Sequence, residues 1–148
     1  MKIIDFDNHT DLSVNLDKLE EIAQFLTSRK LELVITDNKT ITKMNYEHRA
    51  KNTPTDVLSF PLEIPAMPNE LSHIPLGSIV ISAEYVHLKA IEFGHTQQDE
   101  LSLLFIHGML HLLGFDHETD QGEMRLKEKE LIEQFELPLS LIIRTGEY

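Results

Sequence analysis

The sequence predicts an α+β fold: a mixed four-stranded sheet with about five helices, the central one carrying zinc-binding histidines. Three observations carry that expectation. Four short runs, at 2–7, 31–36, 56–60 and 76–82, are apolar, alternating or β-branched, and helical periods separate them irregularly. That is the order of an α+β or three-layer arrangement. The stretch over 96–114 is apolar around most of a helical circumference, so it belongs in the interior. Within and just beyond it stand three histidines in eleven residues, His107, His111 and His117.

Taken in order, Ile3, Ile4 and Phe6 make 2–7 a first strand. Residues 11–15 form a loop. Leu16, Leu19, Ile22, Ala23 and Leu26 then keep a helical period to about Arg29, with Asn15 or Asp17 as the N-cap. Leu31 to Thr36 is a second strand. Asp37 and Asn38 form a turn, and Thr40 caps a short helix to about Arg49 with Ile41, Met44 and Asn45 on one side. Lys51 to Thr55 is a loop, because a proline and its predecessor both resist helix. Asp56 to Phe60 is a short strand that Pro61 ends. With Pro65, Pro68 and Pro75, residues 61–75 become an irregular excursion over the surface.

Leu76 to Ser82 is a buried strand, and Ala83 to Phe93 a helix that Gly94 ends. Thr96 followed by Asp99 is a capping-box start for the central helix, which Gly114 terminates. Met124, Leu126, Leu131, Ile132 and Phe135 mark a last helix over 121–135. The tail over 137–148 carries Leu139, Leu141, Ile142 and Ile143 for docking.

A chain of 148 residues fits one domain, 1–148. No run reaches the roughly 20 apolar residues of a membrane span. Acids interrupt the apolar N-terminus, which is unlike a secretory signal, and there are no cysteines. The expectation is a cytoplasmic protein. A net charge of −12 argues against nucleic-acid binding by the body as a whole. Charge is unevenly spread, however. Lys39, Lys43, Arg49 and Lys51 form a basic stretch with Glu47 its only acid, whereas 116–136 is densely acidic.

The histidines carry the chemistry. His107 and His111 project from one helix face, offset by roughly 40°. Gly114 lets the chain reverse and return His117 toward them. Three neutral imidazoles describe a catalytic site for one Zn²⁺ ion with an open position, and the lack of cysteine excludes thiolate sites. Such a zinc lowers the pKa of its water to about 7 and polarises carbonyl or phosphoryl oxygens. The spacing equals that of zinc peptidases, H-E-x-x-H-x-x-G-x-x-H, but Gly108 replaces the glutamate that serves there as general base. Asp116 is the nearby acid, able to orient a histidine or to act as acid/base. His9, His48, His73, His87 and His95 lack such spacing.

The stretch His107-Gly-Met-Leu-His-Leu-Leu-Gly-Phe-Asp-His117 closely resembles the H-G-x-L-H-L-x-G-x-D-H signature of the YbeY-type endoribonucleases, bacterial rRNA maturation factors. Asn45-Tyr-Glu-His-Arg49 with Pro54-Thr-Asp-Val-Leu-Ser-Phe-Pro61 is similar to that family's N-x-x-[YF]-R and P-T-[DN]-V-L-S-F-P. Leu76-Gly-Ser-Ile-Val-Ile-Ser82 is similar to its L-G-D-I-x-I-S strand. Two departures stand out: His48 replaces an aromatic and Ser78 an aspartate. The resemblance spans about 30 to 130. It implies a metal-dependent endoribonuclease preferring single strands, acting in 16S rRNA 3′-end maturation and ribosome quality control. It also implies a zinc helix beneath a mixed sheet. The implied partners are single-stranded RNA or rRNA and the small ribosomal subunit or its proteins, with no membrane and no DNA.

On that resemblance, Arg49 is the second catalytic charge, bound to the scissile phosphate, and Lys43 and Lys51 hold flanking phosphates. Thr55 and Asp56 set a loop, and Val57 and Leu58 belong to the core. The nucleophile is either zinc-held hydroxide or the RNA 2′-hydroxyl. Two other classes stay open: a zinc hydrolase of another substrate such as peptide, and a ribosome-assembly binding module with a structural metal.

Overall fold

The computed structural model describes residues 2–49, 57–61, 74–116 and 119–138, with the side chains of His48 and Arg49 excepted. The elements are β1 (Ile4–Asn8), α1 (Leu16–Leu26), β2 (Leu31–Thr36), α2 (Asn38–Arg49), β3 (Val57–Pro61), β4 (Gly77–Ser82), α3 (Ala83–Phe93), α4 (Gln97–Leu112) and α5 (Glu123–Gln134). The sheet order is β1-β2-β4-β3. The first three strands are parallel, and β3 runs antiparallel to β4. Five helices and a mixed four-stranded sheet are the α+β fold expected. Among the described residues, no helix is long and apolar enough to cross a membrane.

Strand alternation separates two cores. Leu31, Leu33, Ile35, Ile79 and Ile81 share a buried cluster with residues of α1, α4 and α5. Val34, Leu58, Val80 and Phe60 form a second cluster with Ile41 and Met44 of α2. The sheet therefore lies between α2 on one face and α4 with its companions on the other. Helix α4 is buried at every position from Glu100 to Leu110, as its nearly continuous apolar surface predicts.

Several ends are as the sequence suggests. Asn15 caps α1 by accepting from Lys18 N. Thr96 caps α4 by accepting from Asp99 N at 3.0 Å. Gly94 closes α3 in the left-handed region, φ 70°.

Four details differ. Helix α1 stops at Leu26, three residues short of Arg29, where Thr27 turns extended. Helix α2 starts at Asn38, and Thr40 is not its cap. Asp37 holds that role, its Oδ1 accepting from Thr40 N at 2.7 Å while its carbonyl accepts from Ile41 N. Pro61 is the last residue of β3 rather than the one after it and pairs with Gly77, which an edge strand allows because its outer side needs no N–H. Leu126 is 68% exposed, and the inward stripe of α5 is Met124, Glu128, Leu131 and Ile132.

Candidate metal centre

The centre is built on the last turns of α4. His107 and His111, one turn apart, meet edge to face with ring centroids 4.6 Å apart. Their Nε2 atoms lie 3.1 Å from each other. Each ring's other nitrogen is occupied. His107 Nδ1 lies 2.6 Å from Glu128 Oε1, and His111 Nδ1 lies 3.0 Å from the carbonyl oxygen of Phe115.

Those partners fix the tautomers. A carbonyl oxygen only accepts, so His111 Nδ1 carries the hydrogen; the Glu128 carboxyl favours the same on His107 Nδ1 as acceptor. Both Nε2 atoms then present lone pairs to each other, in a pair whose first ring is buried. Two facing lone pairs at this separation are satisfied by a cation between them, either a metal ion or a proton shared between the two Nε2 atoms. Nitrogens each about 2.0–2.1 Å from one tetrahedral zinc stand roughly 3.3 Å apart. The observed separation fits two ligands of one ion.

Local sequence produces this arrangement. Leu113 ends α4 and Gly114 follows at φ 100°, a value that costs glycine little. Gly114 N donates to His111 O and Phe115 N to Leu110 O, the paired bonds of a glycine-terminated helix. That reversal brings the Phe115 carbonyl back over the His111 ring. The chain next turns at Asp116, whose carbonyl accepts from Thr119 N and Asp120 N. Asp120 then caps the start of α5, its carboxylate accepting from Gly122 N and Met124 N. Glu128 follows four residues after Met124, on the inward stripe.

Gly108 faces the sheet. A Cβ there would stand 3.0 Å from Ile79 Cγ2, and its carbonyl accepts from Ser59 Oγ of β3 at 3.2 Å. The residue that would be the peptidase glutamate is thus a point of close helix–sheet contact. A side chain there would be driven toward Ile79.

Of the residues expected from sequence, the described structure brings together His107 and His111. His117 and Lys51 lie outside the described residues. Among those described there is no group of three or more potential metal-ligating side chains. Asp116 is exposed, and Lys43 is exposed on α2. Arg49 is the last residue of α2, which packs on the sheet face opposite α4. Glu128 is the site residue that sequence reasoning missed. Its signal was an acid in the i+4 slot of an apolar stripe, between Met124 and Ile132.

The other histidines whose side chains are described have ordinary partners. His9 pairs with Asp7 at the surface, His87 Nδ1 accepts from Gln97, and His95 Nε2 meets Glu100 in the interior. Ser78 sits opposite Glu32 in the β2–β4 register and donates to its carboxylate at 3.1 Å. The aspartate usual at that place would set two carboxylates side by side.

The model of the Endoribonuclease YbeY family matches residues 3–136. The chain is 61% identical over 142 residues to Endoribonuclease YbeY of Sulfurovum sp. (strain NBC37-1), covering 96% of this chain and 97% of that protein. It is 54% identical over 142 residues to Endoribonuclease YbeY of Nautilia profundicola, covering 96% and 98%. The solution structure of TM1509 from Thermotoga maritima superimposes with a TM-score of 0.60 at 29% identity, covering 89% of this chain and 88% of that one. With matches that run nearly end to end, the chain belongs to the endoribonuclease YbeY family.

Proposed function

We propose that the family's endoribonuclease activity takes here the form of phosphodiester cleavage in single-stranded RNA at a zinc centre held by His107, His111 and His117. The substrate on this reading is 16S rRNA near its 3′ end, cleaved in the cytoplasm during small-subunit maturation and quality control. Residues 1–148 act as one hydrolase domain, and ribosomal proteins of the small subunit are its partners. The observation that supports the metal centre is the 3.1 Å approach of the His107 and His111 Nε2 atoms, with each Nδ1 held by an oxygen. All-imidazole donors suit zinc. When bound, the ion supplies Lewis-acid polarisation of a phosphoryl oxygen.

The chain's own residues do the remainder. Glu128 and the Phe115 carbonyl hold the His107 and His111 rings through Nδ1 and leave Nε2 toward the metal position. Arg49 supplies the second positive charge, binding the scissile phosphate and stabilising charge that grows in the transition state. Lys43 and Lys51 bind flanking phosphates, and Asp116 serves as acid/base or orients the third histidine. Peptide hydrolysis has no support at position 108, which is spent on packing against Ile79.

The test is a metal-defined cleavage assay on matched single-stranded and duplex RNA. Wild type should cut the single strand and stop when chelated. His111→Ala should not cut. Arg49→Glu should lose about 10²–10³-fold. Cleavage at wild-type level by both variants would overturn the reading.

A further inference from the structure

We infer that Glu128 is a positioning residue of the metal centre, fixing His107 as the Nδ1–H tautomer so that Nε2 faces the ion and making α5 part of the site. The inference rests on the metal-centre reading above. Glu128 Oε1 is 2.6 Å from His107 Nδ1, with side-chain exposures of 1% and 7%. Its Oε2 is buried with no hydrogen-bond partner among the described residues. A carboxylate buried so deeply is costly unless paired. Its neighbours on the stripe, Met124, Leu131 and Ile132, are apolar, and leucine would suit the slot better for packing alone. The acid is accounted for by the ring it holds.

The two ligands are oriented by unlike acceptors. His111 donates to a neutral carbonyl, which fixes its tautomer without adding charge. His107 donates to a carboxylate, which fixes the tautomer and also makes Nε2 a stronger donor to a metal. Helix α5 thereby contributes to metal affinity although it supplies no ligand.

The experiment combines zinc competition against a chromophoric chelator with ¹⁵N NMR of the histidines in metal-free protein. Wild-type His107 should appear as the Nδ1–H tautomer. Glu128→Leu should bind zinc about 10–100-fold more weakly and lose that tautomer preference, while its circular dichroism stays native. Glu128→Gln keeps an acceptor without the charge. It should hold the tautomer yet bind zinc several-fold more weakly, and it decides the matter should the leucine variant fail to fold. Wild-type zinc affinity in the folded substitution, or an Nε2–H tautomer in wild type, would overturn the role of Glu128. His111→Ala is titrated alongside. If its zinc affinity equals wild type, the metal centre itself fails; if only Glu128 variants bind normally, the positioning role alone fails.

Discussion

Two buried histidine–carboxylate pairs flank the central helix, and they do opposite things. At its start, His95 Nε2 lies 2.8 Å from Glu100 Oε1, with exposures of 3% and 0%. Near its end, His107 Nδ1 lies 2.6 Å from Glu128, nearly as deep. Burial and distance hardly separate them. The second nitrogen does. His95 Nδ1 has no hydrogen-bond partner among the described residues, and the ring stacks on Phe93. His107 Nε2 faces another imidazole whose own Nδ1 is tied. A buried imidazole–carboxylate pair is thus no mark of a metal centre by itself. What decides is the nitrogen left over and what it meets.

The comparison breaks first on activity. His111→Ala should reduce cleavage of single-stranded RNA by at least about 100-fold, more than loss of an orienting partner costs. His95→Ala, measured per folded molecule, should stay within several-fold of wild type. Equal losses in the two variants would erase the distinction. Stability should show the reverse for the first pair: His95→Ala removes the Nε2 contact of buried Glu100 Oε1 and should lower stability measurably by denaturant unfolding.

A finer cut is Gly108→Ala. Its Cβ presses on fully buried Ile79, a cost of about 1–3 kcal/mol that outweighs the roughly 1 kcal/mol gained in helix propensity. Adding Ile79→Val removes only Cδ1, at 3.2 Å, and keeps Cγ2 and Cγ1 at 3.0 and 3.3 Å, so it should recover only part of the loss; full recovery would place the strain at Cδ1.

The smallest effect concerns Glu20, a buried carboxylate with no histidine. Burial pushes its pKa up, but hydrogen bonds from Gln24 and from the N–H groups of Ile3 and Ile4 outweigh it, leaving the group below its ordinary 4.5. A lowered folded-state pKa gives stability that is present above the unfolded value and lost as pH falls through the folded one. Glu20→Gln should therefore flatten the acid limb of the stability curve, whereas an unchanged limb would assign it to other carboxylates.

What was legible in the sequence was local. Thr96, Gly94 and Gly114 act within one turn of themselves, and His107 and His111 need only helical spacing to meet. What was not legible came from other elements or carries no letter. Glu128 acts across 21 positions of sequence, and its charge hid it within an apolar stripe where Leu126 looked the better member. The acceptor on His111 is a backbone carbonyl, whose identity as Phe115 says nothing. Pro61 reads as a terminator until the strand order shows it on an edge.

The contact between position 108 and Ile79 also bears on descent. Two helices with the same histidine spacing, one bearing a glutamate after the first histidine and one a glycine, look a single substitution apart. In this fold they are not. A Cβ at position 108 would stand 3.0 Å from Ile79 Cγ2, so Ile79 must give by a few tenths of an ångström before any side chain fits there. The glycine is thus held in place by the sheet beneath it.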